Sequence, residues 1–199
     1  MRLIMLGPPG AGKGTQAALV SAAHGVPAIS TGDIFRANIR NETPLGLQVR
    51  EITASGGYVP DEITNAIVRD RLAETDAVDG FLLDGYPRTT GQVLALDDML
   101  AETGHALDAV VELTVDTDEV VGRLLARAVE QGRADDTEDV IRERMRLYAE
   151  ETAPLAAVYR ERGMLQRVDG MGTVEEVTGR IEQVLSGVRA GRSSRPAGA

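Results

Sequence analysis

A glycine-rich loop near the N-terminus constrains this chain more than any other part of its sequence. The loop reads GPPGAGKGT over residues 7–15 and directly follows an apolar run at residues 3–6. Glycines at this spacing let backbone N–H groups converge on phosphate oxygens at the start of a helix, and the lysine adds a compact positive charge. Lys13 is the only lysine in the chain. The loop therefore predicts a strand, a phosphate-binding turn and a helix, in that order.

The hydroxyl that usually follows the lysine of such a loop is displaced by one position. Gly14 follows Lys13, so Thr15 supplies the hydroxyl expected near a magnesium ion. Residues 15–23, TQAALVSAA, have a helical composition, as the loop requires. The alternative is a glycine-rich turn without chemical consequence, which does not account for the strand and helix on either side.

The composition is that of a single globular domain. The chain has 199 residues, of which 43% are hydrophobic and 26% charged. It contains no apolar stretch of transmembrane length and no signal-peptide pattern, which favours a cytoplasmic protein without membrane contacts. A formal net charge of −10 argues against a nucleic-acid-binding surface. Because the chain has no cysteine, disulfides and thiolate metal sites are excluded.

Short apolar runs alternate with segments of helical composition, which is the pattern of a parallel sheet covered by helices on both faces. We therefore predict an α/β fold with a five-stranded parallel sheet. The predicted strands lie at residues 3–6, 26–29, 81–83, 109–113 and 165–168. The predicted helices lie at residues 15–23, 31–41, 45–54, 61–74, 91–102, 117–130, 137–162 and 173–185.

Two segments depart from this alternation. Residues 31–61 have helical patterns without an intervening strand, so we expect them to stand off the sheet as a small flap. Residues 189–199 are poor in apolar residues and rich in Gly, Ser and Pro, which predicts a disordered tail.

An acidic residue ends the third predicted strand, at the same edge of the sheet as the phosphate loop. Asp84 opens the sequence DGYPR, and a carboxylate in this place can hold Mg²⁺ through water. In the same turn, Gly85 would let a ligand approach the backbone and Pro87 stiffens the chain. Arg88 can bind a phosphate through two parallel hydrogen bonds. Taken alone, this motif is equally compatible with an ordinary turn at the end of a strand.

The sequence STGDIFR, at residues 30–36, follows the second predicted strand. Thr31 is well placed to cap the helix that begins there. Arg36 lies one turn further and faces the same way as Gly32 and Asp33, so it either meets solvent or contributes to an anion site.

Arginines are concentrated in the segment after the fourth predicted strand, at Arg123, Arg127, Arg133, Arg142, Arg144 and Arg146. A spacing of four puts Arg123 and Arg127 on one helical face, and residues 132–133 mark a break where a short lid could hinge. This density of positive charge favours anionic ligands. Surface pairing with nearby acids explains Arg142 and Arg146.

Taken together and in this order, these motifs resemble those of the adenylate kinase family. The matching stretches are GPPGAGKGTQ at residues 7–16, STGDIFR at 30–36, GGYVPDE at 56–62, DGYPRTTGQ at 84–92, GRLLAR at 122–127, GRADD at 132–136 and VIRER at 140–144. The resemblance extends to about residue 185. It implies the phosphate-loop nucleoside monophosphate kinase fold as a single domain over residues 1–188. That domain would carry an AMP-binding flap at about residues 30–59 and a short LID at about residues 126–136.

The resemblance implies reversible transfer of the terminal phosphoryl group from ATP to AMP, with Mg²⁺, giving two ADP. For ATP it assigns Gly10, Ala11, Gly12, Lys13, Gly14, Thr15, Arg123, Arg127 and Gly172. For AMP it assigns Thr31, Arg36, Gly57, Tyr58, Val59, Gly85, Tyr86, Pro87, Arg88, Gln92, Arg133 and Arg144. Catalytic roles fall to Lys13, Arg88, Arg123, Arg133 and Arg144, with the metal near Asp84 and Thr15.

The segment between Arg127 and Arg133 is too short for the β-rich insert and zinc cysteines of long-LID members, so we expect no zinc and a monomer. Two alternatives stay open. A UMP/CMP kinase shares these motifs. The two kinases differ in the base of the acceptor nucleotide, which has to be inferred from Thr31 and from Gln92. The side-chain amide of Gln92 can pair with the edge of adenine. A nucleotide-binding switch without transfer activity would need no second nucleotide pocket, so it would have no use for Arg36, Arg88, Arg133 and Arg144.

Overall fold

The strands of the chain form one parallel sheet. The computed structural model describes residues 1–116, 120, 122–124 and 137–193. Within these, the strands are β1 (Arg2–Leu6), β2 (Ala28–Ser30), β3 (Phe81–Asp84), β4 (Ala109–Thr114) and β5 (Leu165–Asp169). Their order across the sheet is β2-β3-β1-β4-β5, and each neighbouring pair is parallel. The predicted α/β fold with a five-stranded parallel sheet is confirmed.

Helices connect the strands and begin where local chemistry favours them. They are α1 (Lys13–His24), α2 (Thr31–Arg40), α3 (Pro44–Ala54), α4 (Asp61–Leu72), α5 (Thr90–Glu102), α6 (Glu138–Leu147), α7 (Leu155–Glu161) and α8 (Val174–Ser193). Val120 and residues 122–124 are helical as well. The Thr43 hydroxyl caps α3 by accepting from the Gly46 N–H, and Thr89 caps α5 by accepting from the Gln92 N–H. No helix in the described ranges has both the length and the apolar character needed to cross a bilayer.

The central strand β1 is buried on both faces, because successive side chains point to opposite sides of the sheet. Ile4 and Leu6 pack in one core cluster, which includes Val93 and Leu96 of α5. Leu3 and Met5 pack in the other, which includes Val20 of α1 and Ile181 of α8. The continuous apolar sequence of β1 is therefore the signature of a strand between two helical layers.

A separate small core holds α2 and α3 together. Phe35, Val49 and Val59 are buried in it, with Ile39 and Ile52 packed against them. The pair of helices follows β2, and the chain returns to the sheet through α4 and β3. This arrangement agrees with the prediction that residues 31–61 are helical without an intervening strand.

Two predicted segments differ from the structure. The single helix predicted over residues 137–162 is wrong, because α6 gives way to a π-helical turn at Tyr148–Thr152 before α7 begins. Pro154 lies in that junction, where it has no N–H to continue the helical hydrogen bonds. The disorder predicted from residue 189 is wrong for residues 189–193, because α8 continues to Ser193. Residues 194–199, and the predicted LID at residues 126–136, lie outside the described residues.

Candidate active site

The carboxyl ends of β1, β2 and β3 meet at one edge of the sheet, above a cavity of about 530 Å³. The register pairs Asp84 with both Met5 and Ser30. The phosphate loop, the start of α2 and the turn after β3 therefore open into the same space. Predicted site residues lining the cavity are Gly10, Gly12, Lys13, Gly14, Thr15, Thr31, Arg36, Gly57, Tyr58, Val59, Asp84, Gly85, Tyr86, Pro87, Arg88, Gln92, Arg123 and Arg144.

The phosphate loop exposes the N-terminus of α1 to this cavity. Gly12 precedes the helix with a φ of 85°, a left-handed conformation that favours glycine, and no side chain caps the first turn. Because Gly12, Lys13 and Gly14 line the cavity, the positive end of the α1 dipole lies where an anion would be attracted. The Lys13 ammonium donates to the carbonyl oxygens of Gly7 and Pro8 over 2.8 and 2.9 Å, which holds it at the loop.

Asp84 lies against the start of α1. A Cβ atom built on Gly14 would be 3.6 Å from Asp84 Oδ2, and the exposed Thr15 follows in the same turn. In the described part of the chain, no group of three or more His, Cys, Asp or Glu side chains is arranged around a metal position. A nucleotide-bound Mg²⁺ keeps several waters and needs few protein oxygens. One carboxylate and one hydroxyl beside a phosphate loop therefore fit such an ion.

The turn after β3 converges on the backbone of Gly85, which has a φ of 78°. A Cβ atom here would lie 3.0 Å from Thr31 Oγ1 and 3.1 Å from an Arg88 guanidinium nitrogen, so glycine is required by close approach as well as by conformation. The Gly85 carbonyl accepts from the Thr31 hydroxyl over 2.9 Å and from Arg88 Nε over 2.8 Å.

Thr31 does not cap α2, contrary to the prediction. The neighbouring Ser30 does so, because its hydroxyl accepts from the backbone N–H of Asp33 over 3.2 Å. The buried Thr31 hydroxyl instead donates to the Gly85 carbonyl in the turn after β3. Thr31 lines the cavity together with other residues predicted to bind AMP.

Three arginines gather around one side of the cavity. Burial lowers the pKa of Arg88 below its ordinary value, and the charges of Arg144 and Arg36 act in the same direction. Tyr58 and Asp84 oppose that effect, and an arginine stays protonated at neutral pH. Arg36 lines the cavity and also pairs with the exposed Asp33. Such converging positive charge favours a phosphate dianion.

The amide of Gln92 is buried, with 2% of the residue exposed. Its Oε1 accepts from the Arg88 backbone N–H over 2.7 Å, and its Nε2 donates to Asp61 Oδ1 over 2.7 Å. Asp61 also accepts from the Thr89 hydroxyl over 2.7 Å. Gln92 thus lines the cavity, and the Arg88 N–H and the Asp61 carboxylate fix the orientation of its amide.

Comparison with known proteins agrees with this geometry. A family model described as Adenylate kinase matches residues 5–164. The chain belongs to the adenylate kinase family. A relative named adenylate kinase from Nocardioides sp. is 62% identical over 185 residues, covering 93% of this chain and 97% of the relative. Relatives of the same name from Leifsonia xyli and Clavibacter michiganensis are 59% and 56% identical, over 92% and 98% of this chain and 92% and 96% of their own.

The comparisons give no support to the alternatives, a UMP/CMP kinase or a nucleotide-binding switch. Some residues expected of an adenylate kinase do not line the cavity. Ala11 is buried and packs into the core, and Gly172 is exposed on the loop between β5 and α8. Arg123 connects the cavity to that loop, because its guanidinium donates to the Gly170 carbonyl over 3.3 Å. Arg127 and Arg133 lie outside the described residues.

The arginines predicted to pair on the surface do so. Arg142 pairs with Glu138, four residues earlier, over 2.6 Å. Arg146 pairs with Glu143 over 2.7 Å and also with Glu150. Both arginines are more than half exposed. Arg144, between them in the sequence, instead lines the cavity.

Two cavity residues that follow Arg144 in the sequence, Tyr148 and Thr152, were not predicted. Tyr148 and Thr152 both line the cavity, at successive spacings of four. Burial raises the pKa of the Tyr148 hydroxyl to about 12. The spacing from Arg144 was the available signal, because residues four apart share a helical face. Asp61, which orients Gln92, was missed as well.

Proposed function

We propose that this chain transfers the terminal phosphoryl group of ATP reversibly to AMP, giving two ADP. The observation that supports the proposal is that one cavity is lined by two separate groups of residues that are each suited to a phosphate. The first is the loop with Lys13, and the second is the arginine group of Arg36, Arg88 and Arg144. A switch that binds one nucleotide needs only the first, whereas a phosphoryl transfer between two nucleotides needs both.

On the donor side, we propose that residues 10–15 bind the ATP phosphates. The N–H groups at the start of α1 would hold the β- and γ-phosphates, and Lys13 would move from the loop carbonyls to a phosphate oxygen. Arg123 would stabilise the transferred group, and the loop around Gly172 would contact adenine. Arg127 has the same assignment by resemblance alone.

On the acceptor side, we propose that Thr31, Arg36, Arg88 and Gln92 bind AMP, together with residues 57–59 and 85–87. The guanidinium groups would pair with the AMP phosphate, and the Gln92 amide would meet the adenine edge. A nucleoside monophosphate has a second pKa of roughly 6, so its phosphate is already ionised at neutral pH and needs no general base. Arg144, and Arg133 by resemblance, would stabilise the transferred phosphoryl group.

Mg²⁺ is the cofactor we propose, bound with ATP and held by Asp84 through water, with the Thr15 hydroxyl nearby. When bound, it neutralises phosphate charge and orients the β- and γ-oxygens. Catalysis by the chain itself then consists of alignment and electrostatic stabilisation by a lysine and several arginines.

We further propose the domain division implied by the family. Residues 30–59 would form the AMP-binding flap of a single domain over residues 1–188, and residues 126–136 the short LID. Closure of both would exclude water, so that the phosphoryl group reaches AMP rather than hydroxide. A cytoplasmic monomer without zinc, membrane contacts or nucleic-acid partners stays our prediction.

The experiment that tests the proposed function is a coupled assay of ADP formation, with ATP, Mg²⁺ and one acceptor at a time. AMP, GMP, CMP and UMP are compared at equal concentration. We expect AMP to exceed GMP and UMP in kcat/KM by about tenfold or more, because their bases reverse the donor and acceptor that the buried amide meets. Cytosine repeats the donor and acceptor of adenine on a smaller ring, so we expect a smaller preference for AMP over CMP. Preference for CMP or UMP would contradict the proposal in favour of a pyrimidine kinase.

A further inference from the structure

We propose that Tyr58 and Thr152 form a bridge that positions Arg88 for the acceptor phosphate. The inference rests on the proposed function and adds a role for two side chains. Tyr58 follows α3, Thr152 ends the π-helical turn, and Arg88 lies in the turn after β3, yet all three line the same cavity. The bridge thus joins three segments that are far apart in the chain.

The first contact of the bridge is between a cation and a ring. The central guanidinium carbon of Arg88 lies 4.9 Å from the centroid of the Tyr58 ring. A guanidinium in this place is attracted by the electron-rich face of the aromatic ring. The hydrogen bonds that the Arg88 side chain makes to described residues go to the Gly85 carbonyl and not to a carboxylate. The ring therefore supports the charge without occupying the N–H groups that a phosphate would need.

The second contact joins two hydroxyl groups. Tyr58 Oη and Thr152 Oγ1 are 2.9 Å apart, and Thr152 Oγ1 donates to the Arg88 carbonyl over 2.9 Å. A threonine hydroxyl has one hydrogen, and a carbonyl can only accept. The hydrogen of Thr152 is thus committed to Arg88, so the Tyr58 hydroxyl must be the donor to Thr152.

This direction of donation has a consequence for the ring. A phenol that donates a hydrogen bond gains electron density in its ring, which strengthens the attraction of the guanidinium above it. Thr152 acts on Arg88 twice, through the backbone carbonyl and through the Tyr58 ring. Because Thr152 is only 6% exposed, water does not compete freely for these bonds.

The bridge gives a reason for Arg88 to keep its orientation among like charges. Arg144 and Arg36 disfavour the charge on Arg88, as does its burial. The Gly85 carbonyl holds only the Nε end of the guanidinium, so the Tyr58 ring is the second contact that keeps its plane in place against that field. Tyr58 and Thr152 are therefore positioning residues, since they act on phosphate through Arg88.

The test is a set of variants measured for initial rates with AMP varied at saturating ATP, and with ATP varied at saturating AMP. Tyr58→Leu removes the ring, Tyr58→Phe keeps the ring without its hydroxyl, and Thr152→Val removes the second hydroxyl at nearly constant volume. We expect Tyr58→Leu to lower kcat/KM for AMP by about 3- to 30-fold, the range of a cation–π contact, and the other two by about threefold. The KM for ATP should change by less than about twofold, because the loop is untouched.

Two further variants make the result specific. Thr152→Ser restores the hydroxyl and should return kcat/KM for AMP to within about twofold of the unmodified chain. The double variant Tyr58→Phe with Thr152→Val should be no worse than Thr152→Val alone, because both changes break one bridge. Tyr159→Phe is the matched control, since its hydroxyl is buried without a hydrogen-bond partner among the described residues. It should leave the kinetics unchanged.

Several outcomes would contradict the proposal that this bridge positions Arg88. These are an unchanged kcat/KM for AMP in Tyr58→Leu, additive losses in the double variant, or losses that follow the unfolding temperature across the set. Failure of the unmodified chain to phosphorylate AMP would instead contradict the proposed function. The two failures are separable, because AMP binding to the same variants, measured by calorimetry, reports on the Arg88 site without turnover.

Discussion

The Gln92 amide donates from Nε2 to Asp61 Oδ1 over 2.7 Å, while the Gln92 Oε1 accepts from the Arg88 backbone N–H. A carboxylate can only accept and an N–H can only donate, so these neighbours determine which end of the amide carries the oxygen. The cavity is therefore presented with an amide of fixed polarity. Adenine presents an amino donor next to a ring-nitrogen acceptor, and such an amide can distinguish this edge from those of guanine and uracil, where donor and acceptor are exchanged.

Replacing Gln92 with Glu should damage both this orientation and the fold. The variant faces the Asp61 carboxylate with a second carboxylate, in a place where only 2% of Gln92 is exposed. We expect the free energy of unfolding to fall by about 1–3 kcal/mol, as for a lost buried hydrogen bond. The KM for AMP should rise about tenfold or more, with a smaller effect on ATP.

Urea unfolding and initial rates measure the two effects. Gln183→Glu, on the exposed face of α8, is the matched control and should change neither quantity. An unaltered KM for AMP in Gln92→Glu would contradict the assignment of this amide to the acceptor base.

Replacing Lys13 with Met should remove activity and leave the fold. The Lys13 ammonium donates to the Gly7 and Pro8 carbonyls of its own loop, at the surface of the cavity, so we expect its loss to affect activity more than stability. Loss of one group that stabilises transition-state charge typically lowers kcat by about 10²–10³-fold. Lys13→Arg should restore little, because the planar guanidinium is larger and differently shaped. ADP formation and thermal unfolding test this, and a Met variant with near-normal turnover would refute the role.

Replacing Asp84 with Asn should change how the rate depends on magnesium. The amide keeps the size of the side chain and removes the charge beside the start of α1, so the metal would be held less well. We expect a higher Mg²⁺ concentration for half-maximal rate, a lower kcat at saturation, and full loss of activity in EDTA for both proteins. Asp70→Asn, an exposed change on α4, is the control. Identical magnesium curves for Asp84→Asn and the unmodified chain would rule out the proposed metal contact.

Two leucines on α5 provide a test of the core. Leu96 is fully buried against the sheet, whereas Leu94 on the same helix is 58% exposed. Leu96→Ala should lower the free energy of unfolding by about 2–5 kcal/mol, because it leaves a cavity in a packed interior. Leu94→Ala should change it by less than about 0.5 kcal/mol. Equal effects in urea denaturation would mean that the core is not packed as described.

The sheet and the phosphate loop could be predicted because their signals are local. The predicted strand at residues 81–83 and the observed Phe81–Asp84 differ by one residue. Strands buried on both faces read as unbroken apolar runs, and each run here is followed by a loop with a clear composition. Asp84 could be placed beside the phosphate loop for the same reason, since parallel strands end at one edge.

The features that the sequence did not predict depend on contacts between residues that are far apart in the sequence. Ser30 and Thr31 are equally suitable as helix caps, and the Gly85 carbonyl, 54 positions away from Thr31, decides between them. Tyr58 and Thr152 are 94 positions apart, and no local pattern indicates such a pair. The π-helical turn could not be predicted either, because the sequence up to Pro154 has an ordinary helical composition.

If two nucleotides meet end to end in this cavity, ATP should react only with AMP. Phosphorus NMR of ATP with Mg²⁺, recorded with and without AMP, measures this. We expect ATP to be consumed only when AMP is present, with two ADP formed for each ATP and no inorganic phosphate. Consumption of ATP at the same rate without AMP, with release of inorganic phosphate, would contradict this expectation.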